Sequence, residues 1–492
     1  MSKYYITTTA PYVNSAPHIG FALEIIQADV IARIGRARGD EVFFNTGTDE
    51  HGKKIYEKAR EEGKEPQEYV DEYAAKFDDL KKSLNLSYNS FWRSTHPDHI
   101  LAAQEMWRRV DAAGYIEKGI YKAKYCVGCE LEKTDSDLVE GKCPLHPNKE
   151  IELIEEENYF FKFSQLKDKL LAHYDKFPDF VIPKHRQTEI RNFVKAGLAD
   201  FSISRLASKM PWGVPVPGDE KQVMYVWFDA LTYYISALGW PSPAEATAGK
   251  SSDVKITTGK SSKFEEFWGT VDKPNAIQVA GKDNLRQQAS MWQAMLIAAG
   301  LPPSRQILIH GFITSGGQKM SKSLGNVINP LEYTSQYGTD TLRYYLLAKM
   351  APFEDGDFTK VKFEEVYQAD LANGLGNLVA RVAAMAQSVS SIKYQVLSIS
   401  TEIISALDEY KFDEAMAHIW DRIRKADQYI SENEVWKQKD EEKTQSLNWL
   451  VGEVRQIATD LAPFMPETAD KIVTQFGTEK IEKAVPLFPR LV

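Results

Sequence analysis

Residues 3–39 constrain the fold more than any other stretch of the chain. Lys3–Thr8 (KYYITT) is rich in β-branched and aromatic residues and reads as a buried strand. A turn-forming run follows, Ala10-Pro11-Tyr12-Val13-Asn14-Ser15-Ala16-Pro17, and then His18-Ile19-Gly20-Phe21. Ile19, Leu23, Ile26, Val30 and Ile34 recur at three- and four-residue spacing, which predicts a helix that stops at Gly39. Strand, turn and helix N-terminus together can hold a phosphate, because free N–H groups and the helix dipole point at the anion. Gly20 leaves room for a flat base or ribose, and His18 can reach phosphates as a donor. Taken alone, such a histidine more often caps the helix.

The same alternation continues. Glu41–Thr46 reads as a second strand, and it leads into Gly47-Thr48-Asp49-Glu50-His51-Gly52. Polar residues just past a parallel strand sit where open α/β sheets bind ligands, so Asp49 is a candidate for a substrate ammonium, with a helix cap as the alternative. Helical segments run to about Gly114. Val223–Trp227 reads as a strand and Phe228–Tyr234 as a helix, with Trp227, Ala230 and Tyr234 on one face, either as core or as pocket wall. Ala276–Ala280 leads into Gly281-Lys282-Asp283 and a helix carrying Gln288 and Trp292. The strand Gln306–Ile309 precedes HGFITSGGQKMSKSLGNVINP, whose Lys319 and Lys322 lie on a loop of glycine and serine. Two ammonium groups closing on a triphosphate would stabilise the charge that develops as pyrophosphate leaves. Beyond Asn329, apolar stripes at 366–389, 412–430 and 447–461 predict an antiparallel helix bundle. The class is therefore α/β, a doubly wound sheet followed by an all-α segment.

All three cysteines fall in the insertion that starts near Tyr115. Cys126, Cys129, Cys143 and His146 have the spacing C-x2-C-x13-C-x2-H, two short knuckles that suit one structural zinc. A disulfide is the alternative, disfavoured in a reducing compartment. Net charge is −9, from 60 basic and 69 acidic residues, which argues against a polybasic coat but leaves room for a local RNA-binding patch. No uninterrupted apolar run reaches the ~18 residues of a membrane span. The N-terminus lacks a signal-peptide profile, so a cytoplasmic location is expected.

Taken in order, TTAPYVNSAPHIG, FFNTGTDEHG, the zinc knuckles, YVWFDAL, GKD, KMSKSLGNV, DTLRYYL and LANGLGNLVAR resemble the bacterial methionyl-tRNA synthetase family over essentially the whole chain. KMSKS is the nucleotide-loop signature of class I aminoacyl-tRNA synthetases. The resemblance implies a Rossmann-type catalytic domain in two halves (1–114 and 223–325), split by a zinc-bearing connective peptide (115–222). A stem-contact segment (326–365) and an anticodon-binding helix bundle (366–492) would follow. It further implies that His18, Gly20, Lys319 and Lys322 are catalytic and, with Asp283, bind ATP. Ala10, Tyr12, Asp49, Trp227, Ala230, Leu231, Tyr234, Gln288 and Trp292 would bind methionine, and Asn377, Arg381 and Trp436 would read the anticodon. The implied reaction makes methionyl-adenylate from methionine and ATP, with Mg²⁺ on the phosphates. The acyl group then passes to the 2′-hydroxyl of the terminal adenosine of tRNA(Met), initiator included. A monomer is expected, since no tRNA-binding dimerisation domain follows the bundle.

Three positions depart from the family pattern: Phe21 for the last histidine of HIGH, Gln288 for a pocket histidine facing the methionine sulfur, and Val435 for the proline before Trp436. Synthetases for leucine, isoleucine, valine and cysteine share HIGH and KMSKS but not these pocket and anticodon residues. A tRNA-binding paralogue that has lost activation is the rival from a different class; intact KMSKS, Asp49 and Asp283 speak against it.

Overall fold

The computed structural model describes residues 2–129, 131–133, 135–242, 263–320, 325–387, 397–477, 481–482 and 485–491. Lys322 and all but the first two residues of the Pro241–Ser262 stretch lie outside them. The chain forms two compact units: Met1–Ala16, Gly39–Asp79 and Tyr88–Ile309 in the first, Pro17–Arg38, Leu80–Ser87 and His310–Val492 in the second.

The first unit is built on a six-stranded sheet, in the order Ser90–Arg93, Glu41–Thr48, Lys3–Thr8, Ala276–Gly281, Gln306–His310, Val181–Ile182. Lys3–Thr8 pairs in parallel with Glu41–Thr48 on one side and with Ala276–Gly281 on the other. The chain thus leaves its first strand in one direction and returns on the far side, so the sheet switches direction between Lys3–Thr8 and Ala276–Gly281. Crevices at the carboxyl ends of strands at such a point are where open α/β sheets take ligands. Large rings fill the core beneath: Tyr5, Phe228, Trp268 and Trp292 are buried together, with Trp268 and Trp292 edge to face at 6.0 Å. The insertion is a separate antiparallel layer in which Ile116–Cys126 pairs with Ile151–Phe161 along its whole length. The edge strand Val181–Ile182 shows that the chain rejoins the parallel sheet well before residue 222.

Two local expectations change. The strand expected at Val223–Trp227 spans Asp219–Met224, lies antiparallel to Ser204–Leu206 outside the main sheet, and gives way to a helix at Val226–Ala230. A short apolar run cannot distinguish ladder residues from a first helical turn. The helix expected to carry Gln288 and Trp292 opens as a π-turn, Gln287–Met291, before becoming α-helical at Trp292–Ala298. Such turns are frequent at functional sites.

The second unit starts from the helix Ile19–Ala37, which is buried on most of its surface. Its buried acids are partnered: Glu24 by His310 Nε2 at 3.1 Å, and Asp29 by Arg343 at 2.8 Å and Arg33 at 2.7 Å. Arg343, fully buried on Thr339–Ala348, also donates to the carbonyls of Leu84, Pro463 and Phe464. One guanidinium therefore joins all three segments of the unit. The long helices Phe412–Glu432 and Asp440–Leu461 bury the stripes read from the sequence. The glycines before KMSKS form a tight turn rather than an open loop. Gly316 and Gly317 have φ of 61° and 74°, and they connect Ile313–Ser315 to Gln318–Lys319 as a two-residue hairpin. Both positions need positive φ for the strand twist to match, which glycine supplies without strain.

Candidate functional site

At the switch point of the first unit lies a cavity of about 250 Å³. It is lined by the segment after the first strand, Thr9 to Tyr12, and by Asn284 and Gln288. Asp49 joins the lining: its N–H donates to Pro11 O at 3.0 Å, its C=O accepts from Val13 N at 3.2 Å, and the residue is 7% exposed. The helix turn after Tyr225 contributes Trp227, Ala230, Leu231 and Tyr234, so the face read at i, i+3, i+7 is pocket wall. Lys54, Gly128, Cys129 and Val226 complete the lining. A buried carboxylate beside aromatic and aliphatic walls suits a ligand with an ammonium group and an apolar side chain. Trp292 does not line the cavity; it packs behind Tyr234, ring centres 5.7 Å apart. Asp283 is exposed on the turn before Asn284, and it is Asn284 that faces the cavity.

Behind this surface lies a polar layer not singled out in the sequence. Asp229 is fully buried and holds His51 Nδ1 at 2.6 Å and His99 Nε2 at 2.8 Å; His99 Nδ1 meets Ser236 Oγ at 2.9 Å. Burial pushes Asp229 up, but the two histidines more than offset it and hold its carboxyl at about 2. Glu50, also fully buried, takes Arg93 at 2.7 and 2.9 Å. The Asp49 strand end is thus tied to the helix carrying Trp227 and Ala230. The signal was available: His51 and Asp229 sit inside motifs already quoted, next to pocket residues, though nothing in the sequence pairs them.

In the second unit His18 caps the helix Ile19–Ala37, its Nδ1 accepting from Gly20 N at 3.1 Å. A neutral ring that accepts at Nδ1 carries its proton on Nε2, so the exposed edge of His18 is a donor. A Cβ at Gly20 would come within 2.9 Å of the His18 ring, so the glycine is what lets the ring fold back. Ile19 N donates to Ile328 O at 3.0 Å, tying the helix start to the chain just after KMSKS. Lys319 is exposed, its Nζ 5.4 Å above the Phe312 ring.

A family model described as tRNA synthetases class I (M) matches residues 4–154 and 147–383. The chain belongs to the class I methionyl-tRNA synthetase family. It is 38% identical to the methionine–tRNA ligase of Clostridium acetobutylicum, over 99% of this chain and 78% of that one. It is also 38% identical to that of Thermosynechococcus vestitus, over 97% and 90%. The structure of Mycobacterium tuberculosis methionyl-tRNA synthetase in complex with methionyl-adenylate superposes with a TM-score of 0.88 at 32% identity, covering 100% of both chains.

The family's knuckle residues come together. The donor atoms of Cys126, Cys129, Cys143 and His146 lie within 4.8 Å of one another, with Cys129 Sγ 3.5 Å from Cys143 Sγ and 3.3 Å from His146 Nδ1. A tetrahedral ion with bonds of about 2.3 Å sets its ligands roughly 3.7 Å apart. The spacing and the N/S donor set fit a metal ion. Burial, reinforced by the neighbouring thiols, pushes the Cys129 thiol up to about 12, a cost that a bound cation would relieve.

Of the residues matching the family's anticodon positions, Asn377 opens the helix Asn377–Ala386, Arg381 pairs with Asp427, and Trp436 is 49% exposed. Val435 is buried, and its N–H donates to Ile430 O at 3.2 Å, a bond that proline could not make. Among the described residues no helix is long and apolar enough to cross a membrane.

Proposed function

We infer that this chain activates methionine with ATP and transfers it to tRNA(Met). The observation that carries the reading is the switch-point cavity, where every residue the family resemblance implies for methionine, except Trp292, forms a single lining that includes Asp49. The ammonium group pairs with Asp49 and the side chain enters between Trp227, Ala230, Leu231 and Tyr234. The carboxylate attacks the α-phosphate of ATP, pyrophosphate leaves, and the adenylate passes its acyl group to the terminal 2′-hydroxyl of the tRNA. No enzyme nucleophile is required; catalysis is positioning and charge stabilisation. His18 donates to the phosphates through Nε2, Gly20 keeps its ring in place, and Asp283 contributes to the nucleotide site. Lys319 and Lys322 neutralise the leaving pyrophosphate, and Mg²⁺ accompanies ATP to screen its charge. The Cys3His cluster holds a structural zinc, because four protein ligands leave no coordination position for water. Asn377, Arg381 and Trp436 read the anticodon, the exposed indole stacking on an unpaired base. The enzyme acts in the cytoplasm.

Amino-acid-dependent ATP–pyrophosphate exchange tests the reading, with methionine, leucine, isoleucine, valine and cysteine in parallel. Exchange with methionine alone supports it. Exchange with another amino acid moves the specificity, and no exchange in folded, zinc-loaded protein removes the activity.

A further inference from the structure

The switch-point cavity carries two opposite charges. Among its described lining residues Asp49 is the single carboxylate and Lys54 the single ammonium. Lys54 follows Lys53 at the start of the helix Lys53–Glu61. Successive helical residues diverge by about 100°, so the two lysines take different partners. Lys53 goes to the exposed carboxylate of Glu152 in the insertion, at 2.7 and 2.9 Å. Lys54 lines the cavity and donates to Gly128 O at 3.3 Å. That carbonyl is firmly placed. A Cβ at Gly128 would fall within 2.4 Å of the His146 ring, so the Gly128 backbone is pressed against a knuckle residue. An ammonium has three donors, and the carbonyl takes one. Because the carbonyl is neutral, this bond fixes where the charge of Lys54 sits without neutralising it.

We propose that Lys54 binds the α-carboxylate of the amino acid and makes the cavity selective for a zwitterion. The proposal rests on the methionine reading above and deepens it. A free amino acid bears its ammonium and carboxylate on one carbon, so taking the ammonium at Asp49 brings the carboxylate into the same cavity. A carboxylate withdrawn from water there needs a cation or donors opposite it. Asp49 and Lys54 match the two charges, and the apolar wall takes the side chain. During activation one carboxylate oxygen bonds to the α-phosphorus as the bond to pyrophosphate breaks. The other, held by Lys54, becomes the carbonyl oxygen of the adenylate. A lysine is a point charge on a flexible stem, and the Gly128 carbonyl restricts where that stem can place it.

The test is calorimetric titration of zinc-loaded wild type, Lys54→Met and Asp49→Asn with methionine and with methioninol. Methioninol keeps the ammonium and the thioether chain but has a hydroxymethyl group in place of the carboxylate. In Lys54→Met the Kd for methionine should rise about tenfold or more, and that for methioninol less than about twofold. Asp49→Asn should weaken both ligands, since both carry the ammonium. The stoichiometry reports the folded fraction separately from Kd, so a partly folded variant still decides. A parallel loss for both ligands in Lys54→Met would make Lys54 a prop for the knuckle and overturn the proposal, as would an unmoved Kd for methionine. Wild type that binds neither ligand would remove the functional reading itself; methionine-binding wild type with an unmoved ratio in Lys54→Met removes only the role of Lys54.

Discussion

Replacing Arg343 with Met should cost the second unit about 4 kcal/mol. The guanidinium is fully buried and serves four acceptors: Asp29 at 2.8 Å and the carbonyls of Phe464, Leu84 and Pro463 at 2.7, 3.0 and 3.1 Å. Methionine has similar length but no donor, so three carbonyls lose the guanidinium, at about 1–3 kcal/mol each for a buried group left unsatisfied. Asp29 is cushioned, because Arg33 Nε stays at 2.7 Å and the Ser87 N–H and hydroxyl at 2.7 and 2.6 Å. Water entering the shortened site recovers part of the loss, which brings the sum to the roughly 3–5 kcal/mol typical of breaking a buried ion pair from one side. Urea unfolding followed by far-ultraviolet circular dichroism measures the change, and methionine-dependent exchange should weaken with it, because the helix secured at Asp29 carries His18 at its start. Asp29→Asn in the Arg343→Met background should cost less than Asp29→Asn alone, a coupling of about 1–3 kcal/mol. A loss under about 1 kcal/mol, or strict additivity, would refute the idea that one guanidinium joins the three segments.

Asp49→Asn should raise the KM for methionine about 10- to 100-fold with a smaller effect on the KM for ATP, the size expected for losing a charged hydrogen-bond partner; steady-state exchange kinetics separate the two. Chelation of the Cys3His metal should weaken methionine activation as well as stability, because Cys129 and Gly128 are part of the cavity wall; exchange assays before and after metal removal and zinc readdition check it. Trp436→Ala should slow aminoacylation of tRNA at least about tenfold, the loss of one stacked base, while leaving exchange unchanged. Asp229, held at about 2 against 3.8 for an ordinary aspartate, contributes stability that is complete above about pH 4 and lost as pH falls toward about 2. Asp229→Asn should flatten that part of an acid-unfolding curve followed by tryptophan fluorescence.

Local chemistry alone marked out much of this molecule. The strand, turn and helix of residues 3–39, the apolar stripes of the last helices and the C-x2-C-x13-C-x2-H knuckles were legible because each is a short-range pattern: periodicity, turn residues, ligand spacing. Asp49 and the Trp227–Tyr234 face were legible because residues at strand ends and on one helix face keep fixed directions relative to their own backbone. The Asp229–His51–His99 cluster and the Arg343 joint were not. Their partners come from distant parts of the chain, and a buried polar side chain takes its meaning from whichever partner the packing delivers. The same physics decided the smaller corrections, the early helix at Val226 and the π-turn at Gln287. Sequence determined which residues could do the chemistry; only the tertiary structure decided which of them meet, because burial without water makes every polar group depend on a specific neighbour.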